Sequence, residues 1–146
     1  MLIKDVMTES PTCCRPADSV DRVAKLMLEH DCGIVPVCKG SKVVGVITDR
    51  DITCRVVAKN RTPAEVPVSE VMTSPVFCIH ENDDIQAAVD LMEEKQVRRL
   101  PVLDEDGDIA GIIAPSDLAP MFASANVADF LLAVSYWSRK PVAATA

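Results

Sequence analysis

The stretch Gly45-Val46-Ile47-Thr48-Asp49-Arg50-Asp51 runs from an apolar, β-branched segment into a helical pattern. It sets Thr48 and Asp51 three residues apart, on one face of a first helical turn. A hydroxyl and a carboxylate so placed suit the edge of a sugar, because an ionised carboxylate can accept two O–H bonds from a ribose diol. The nearby helix N-terminus favours phosphate oxygens. The plain structural alternative is that Thr48 is an N-cap and Asp51 a first-turn acid.

The other chemistry-bearing residues are six cysteines, at positions 13, 14, 32, 38, 54 and 78, and two histidines, His30 and His80. No C-x-x-C pair occurs, and in a reducing cytosol these thiols read as small buried hydrophobes. If the fold gathered them, His30-x-Cys32 with Cys38, or Cys13-Cys14 with Cys78 and His80, could offer soft ligands to zinc. That rival reading makes the chain a cytosolic thiol or metal (zinc) sensor, whereas isolated inert thiols make it nothing of the kind. Neither histidine belongs to a triad or an H-E-x-x-H motif, and the chain has no P-loop and no G-x-G-x-x-G, so no catalytic residues and no enzyme activity are expected.

The elements that must position these residues are written twice. Asp5-Val6-Met7-Thr8 returns as Glu70-Val71-Met72-Thr73, Leu26-Met27 as Leu91-Met92, and Pro36-Val37 as Pro101-Val102, all at an offset of 65 residues. One inserted residue then shifts Gly45-x-Ile47-x-x-x-Asp51 onto Gly111-x-Ile113-x-x-x-Asp117. Lys4 to Val37 holds ten identities in 34 aligned positions, where average residue usage gives roughly two by chance.

Each copy reads as β-α-β-β-α. A first strand (Thr12 to Cys14; Val76 to Ile79) precedes an amphipathic helix capped by Asp18 or Ser19, and in the second copy by Asp83 or Asp84. A strand ending in Pro-Val follows, then a Gly-bearing turn, a second hairpin strand (43 to 47; 109 to 113) and another helix, from Asp49 to about Lys59 and from Ser116 to about Ala123. The expected fold class is α/β (α+β), with two β-α-β-β-α repeats packed sheet against sheet as a pseudo-twofold pair. Residues 1–62 and 63–123 form the copies, and 124–146 a C-terminal helix and tail. That helix, from Asn126 to Tyr136, carries Val127, Phe130, Leu131, Val134 and Trp137 on one stripe, to fold back on its own domain or to meet a second chain.

Composition narrows the function. Hydrophobic residues make up 49% of the 146 and aromatic ones only 3%, so an aliphatic core is ample and base-stacking platforms are scarce. A net charge of −7 and a pI near 4.7 have the wrong sign for nucleic acid. No apolar run reaches the roughly 20 residues a bilayer demands, and no secretory leader is recognisable, so a soluble cytoplasmic protein is expected.

The ordered recurrence of Met-Thr, Leu-Met, Pro-Val and Gly-x-Ile-x-x-x-Asp resembles the tandem cystathionine-β-synthase domain pair, or CBS pair, over residues 3 to about 122. The likeness is to the stand-alone small bacterial type. It implies a non-catalytic regulatory module that binds an adenine nucleotide, AMP, ADP or ATP, between the repeats and signals through repeat or dimer geometry. No obligatory cofactor, a homodimer and an effector protein of unknown identity are further implications, and a ligand-free protein-interaction module is the remaining alternative. In such pairs each site is crossed between repeats. Carried over, Thr48 and Asp51 hold ribose, Arg50 reaches phosphate, Val76 and Phe77 frame adenine, and Val97 lines the pocket. Arg98 and Arg99 fall where such pairs are often basic, and guanidinium forks suit phosphate; their structural alternative is a solvated strand edge or an ion pair with Glu93 or Glu94. The second crossed site would draw on Thr12, Cys13, Gly33, Ile34 and Asp117. There Ala114 stands where the hydroxyl belongs and Cys32-Gly33-Ile34 supplies no cation, so a weak or empty site is expected.

Overall fold

The computed structural model describes residues 1–122 and 124–135. Strand β1 (Thr8–Glu9) is followed by helix α1 (Val20–His30), the hairpin β2 (Ile34–Lys39) and β3 (Lys42–Thr48), and helix α2 (Asp49–Arg55). After the short helix α3 (Val68–Val71) the order repeats as β4 (Ile79–His80), α4 (Ile85–Lys95), β5 (Leu100–Leu103), β6 (Ile109–Ile113) and α5 (Pro115–Leu118), with α6 (Ser124–Ser135) closing the described chain. It is a mixed α/β fold with one four-stranded sheet, ordered β1-β6-β5-β4, and one two-stranded sheet, β2-β3. Among the described residues no helix is long and apolar enough to cross a membrane.

The long helices α1 and α4 form where the apolar spacing places them, but only α4 of the two has a side-chain cap; Asp18, a candidate for α1, accepts instead from the Arg15 N–H. Asp84 caps α4, its carboxylate accepting from the Gln86 N–H at 2.9 Å, while Asp83 instead accepts from the His80 N–H. Ser19 occupies the N-cap position of α1, but its hydroxyl donates to Asp21 rather than capping. Both long helices end on a left-handed residue, Asp31 and Gln96. The second helix of each copy is shorter than its pattern suggests: α2 and α5 give way to 3-10 turns at Val57–Lys59 and Ala119–Met121. The expected first strands also contract. In copy one only Cys14 bridges, in parallel, to Val37; in copy two the strand begins at Ile79, not Val76, and pairs in parallel with β5.

The two hydrophobic cores exchange their leading segments. Ile3 is fully buried among second-copy residues such as Met92, Leu100, Val102 and Ile113, whereas Val66, Val68 and Val71 pack in the core built on Val20, Val35 and Ile47. Backbone pairing tells the same story: β1 lies antiparallel on β6, with Thr8 opposite Ile112, and Thr73 bridges to Val46 of β3. Each Met-Thr segment therefore crosses to the other copy's hairpin. The crossing is tight enough to need glycine, since a Cβ at Gly45 would lie 2.8 Å from the Met72 sulfur and 2.9 Å from the Thr73 carbonyl oxygen, and one at Gly111 would meet Met7 and Thr8 in the same way.

Helix α6 folds back on the second core through Phe130 and Val134, which are buried there. Phe130 also meets Phe122 with ring centroids 6.0 Å apart. Leu131, expected on the buried stripe, faces outward at 41% exposure. Tyr136, Trp137 and the tail lie outside the described residues, as does Ala123.

Candidate functional site

At the start of α2, Thr48 and Asp51 form a reciprocal cap. The Asp51 N–H donates to Thr48 Oγ1 at 3.0 Å, and the Thr48 N–H donates to Asp51 Oδ2 at 3.0 Å. Asp51 is 7% exposed, so each of its oxygens needs partners. It finds more of them in the Thr73 hydroxyl, at 3.2 and 3.3 Å from its two oxygens, and in Arg55, whose Nη1 lies 3.8 Å away. Arg55 in turn donates to the Val71 and Met72 carbonyls. The carboxylate therefore joins the helix start to the crossing Met-Thr segment.

Beside this cap opens a cavity of about 450 Å³. Thr48 and Arg50 line it from copy one, and Val97, Arg98 and Arg99 from the stretch leading into β5. Thr48 Oγ1 acts as acceptor in the cap, which leaves its hydroxyl proton to donate elsewhere. Neither Arg98 nor Arg99 pairs with Glu93 or Glu94: Lys95 takes Glu94 at 2.8 Å, and Arg99 Nη1 donates to the Arg98 carbonyl at 2.8 Å. Among the described residues, Arg50, Arg98 and Arg99 carry no ion pair.

Three carried-over residues do not reach the lining: Asp51, which is engaged in the cap, and Val76 and Phe77. Phe77 is 42% exposed, and its ring lies under Lys95 Nζ at 5.3 Å from the centroid. Thr73 does line the cavity, as do Asp49 and Val46. The repeated Met-Thr pair was the signal for Thr73, but nothing local says that it crosses.

A second cavity of about 460 Å³ contains Thr12, Gly33, Ile34 and Asp117 but not Cys13. Here the Ala114 N–H donates to Asp117 Oδ2 at 2.8 Å, half of the reciprocal cap. With no hydroxyl at Ala114, the Asp117 N–H turns to the Ala114 carbonyl at 3.0 Å. The Cys32-Gly33-Ile34 stretch supplies no cation, but Arg99 lines this cleft as well. Arg99 belongs to the stretch leading into β5, which also borders the first cleft, a placement only the fold decides. Gly33, Ile34 and Arg99 are common to both cavities.

The soft-ligand groupings are not assembled: among the described residues no cluster of three or more His, Cys, Asp and Glu side chains is arranged to hold a metal ion. His30 and Cys32 line the second cleft, while Cys38 is buried away from it in β2.

The doubled fold and its paired clefts define a class of protein, and the family comparison agrees: the CBS domain model matches residues 3–57 and again 68–123. The chain belongs to the CBS domain family and carries two such domains in tandem. It is 37% identical over 117 residues to the CBS domain-containing protein YhcV of Bacillus subtilis, a match that spans 80% of this chain and 82% of that one. To hypoxic response protein 1 of Mycobacterium tuberculosis it is 30% identical over 132 residues, 90% of this chain and 92% of that one.

Solved structures give the same fold. Hypoxic Response Protein I with two coordinated zinc ions superposes with a TM-score of 0.76 at 31% identity, covering 84% of this chain and all of that one. The CBS domain pair of MJ0100, in complex with 5′-methylthioadenosine and S-adenosyl-L-methionine, gives 0.74 at 26% identity over 84% of this chain and 95% of that one. CBSX2 in complex with AMP gives 0.70 at 25% identity, over 82% and 94%.

Proposed function

We propose that this CBS pair is a non-catalytic regulatory module whose first cleft takes an adenine nucleotide. The observation that carries the reading is the convergence of Arg50, Arg98 and Arg99 on one cavity of about 450 Å³, a volume in the range of small-molecule sites. In an acidic protein of net charge −7, three guanidinium groups without carboxylate partners are a local basic pocket suited to phosphate. The Thr48 hydroxyl would serve the ribose, and Val46 and Val97 the flat face of the base. The ligands of the MJ0100 and CBSX2 structures, all adenosine derivatives, support the choice of base.

The nucleotide would bridge copy one to copy two and so bias their relative placement, a change read by an effector protein or by a second copy in a homodimer. The second cleft, with Ala114 in place of a hydroxyl, would bind more weakly. Thermal unfolding with AMP, ADP, ATP and the matching guanine nucleotides tests the reading, since a ligand of the native state raises stability by RT ln(1 + [L]/Kd). Adenine nucleotides should raise the midpoint and guanine nucleotides should not. No shift at millimolar adenine nucleotide would leave a ligand-free interaction module.

A further inference from the structure

No cysteine lines the first cleft, and the fold brings two of them to one face of neighbouring extended segments. The Cys14 N–H donates to the Pro36 carbonyl at 2.9 Å, and the Cys38 N–H to the Cys14 carbonyl at 2.8 Å. The segment through Cys14 thus runs parallel beside β2, with Cys14 opposite Val37. Cys14 and Val37 both point into the first core. Side chains alternate along extended backbone, so Cys13, just before Cys14, and Cys38, just after Val37, share the opposite face, diagonally across the two segments. The two thiols lie close enough for each to be the main influence on the other's titration. Cys38 is 3% exposed, whereas Cys13 is only half-buried and also donates to the Pro11 carbonyl at 3.3 Å.

We propose that Cys13 and Cys38 are the site of a reversible intramolecular disulfide, with Cys13 meeting the oxidant and Cys38 resolving it. The oxidant is a small-molecule disulfide of the glutathione class. In the first step the Cys13 thiolate attacks one sulfur of that disulfide, the S–S bond breaks, and one small thiolate leaves with the electron pair. In the second step Cys38, having given up its proton, attacks Cys13 Sγ, and the second small thiolate leaves and is protonated. Two protein thiols are oxidised to one disulfide while one small disulfide is reduced to two thiols. The division of roles follows from access: the buried sulfur cannot be reached from solvent, and the half-buried one can. It agrees with the titration of the pair, since the neighbouring Cys38 thiol holds the Cys13 thiol below its ordinary value and the same proximity, with burial, pushes Cys38 up.

Cys78, the copy-two counterpart of Cys13, is close enough to Cys38 for its charge to be felt there. It defines the competing product, a Cys38 to Cys78 bond joining the copies. The reduced, folded protein should be incubated with oxidised glutathione, its remaining thiols alkylated, and the digest analysed by mass spectrometry with fragmentation that separates Cys13 from Cys14 and Cys32 from Cys38. The expected product is a Cys13 to Cys38 link, reversed by dithiothreitol, retained in Cys78→Ser and absent in Cys13→Ser. The half-buried position of Cys13 lets that variant fold, which circular dichroism would confirm. A Cys38 to Cys78 link, a glutathione adduct that stays on Cys13, or a folded protein that does not react at all would each overturn the proposal. So would zinc that copurifies with the protein and is lost in Cys13→Ser.

Discussion

The Thr73 hydroxyl lies 3.2 Å from Asp51 Oδ2, across the point where the second Met-Thr segment meets the first copy's hairpin. Asp51 is thereby committed to three tasks at once: it caps α2, accepts from Thr73 and faces Arg55. Replacing it with alanine strands the Thr48 N–H and the Thr73 hydroxyl. Asp51→Ala should therefore lower stability by about 1–2 kcal/mol with no ligand present. Urea unfolding of the ligand-free protein checks this; an unchanged midpoint would mean that the cap contributes nothing.

Arg99 lines both cavities and Arg98 only the first. Arg99→Ala should weaken adenine nucleotide binding by about 1–3 kcal/mol, as for loss of a charged hydrogen bond, and should remove whatever binding the second cleft retains. Arg98→Ala should affect the first cleft alone. Isothermal titration calorimetry on the two variants separates the cases, and equal losses in both clefts from Arg98→Ala would contradict the assignment.

Gly45 and Gly111 sit where the crossing segments press on the hairpins, and at each the nearest atoms to an added Cβ include a backbone carbonyl oxygen, 2.9 Å away at Gly45 and 2.8 Å at Gly111. A carbonyl held in a ladder cannot swing aside as a methionine sulfur can. Gly45→Ala and Gly111→Ala are each expected to cost about 1–3 kcal/mol. Thermal denaturation measures it, with Gly40→Ala a poor control, because Gly40 has open space around it but a left-handed backbone, φ 61°.

Alkaline pH should destabilise the fold from about pH 9 upward. Burial, with help from the charges of Asp18 and Cys13, pushes the Cys14 thiol up to about 12 from an ordinary 9.0. The folded state then keeps a proton that the unfolded chain has lost. Stability is intact below the lower value and falls through the window by about 1.4 kcal/mol per pH unit for this one group. Cys38 and Cys78 are raised too and act in the same direction. Urea unfolding at pH 8 and pH 10.5 should show a smaller pH effect in Cys14→Ala than in the parent, and parallel slopes would count against the argument.

Phe130 anchors α6 on the second core and Leu131 beside it does not. Phe130→Ala should cost about 3–5 kcal/mol, and Leu131→Ser less than about 0.5 kcal/mol in the monomer. Differential scanning calorimetry of both variants tests the contrast; a large loss in Leu131→Ser would show that this face is covered.

Much of the architecture was legible because it depends on short-range chemistry. The repeat, the apolar spacing of α1 and α4, a carboxylate cap at Asp83 or Asp84 and the Gly-bearing turns are local properties of a few residues. So is the Thr48–Asp51 relation, which needs only one turn of helix. The half-formed copy-two cap was also visible, since Ala114 cannot supply a hydroxyl.

What the tertiary structure decided is which copy each segment serves. Residues 3 to 9 and 66 to 73 have enough apolar character to pack, but nothing in their own sequence distinguishes one core from the other. The choice is made by backbone pairing, Thr8 with Ile112 and Thr73 with Val46, at partners more than 25 residues away. Long-range packing likewise placed Arg99 at both clefts and drew Asp51 away from the first cleft's lining, and the Cys14–Val37 bridge set Cys13 and Cys38 on one face. A sequence pattern fixes the direction in which a side chain leaves its own element. The neighbour it meets depends on how distant elements stack, and that is a property of the whole chain.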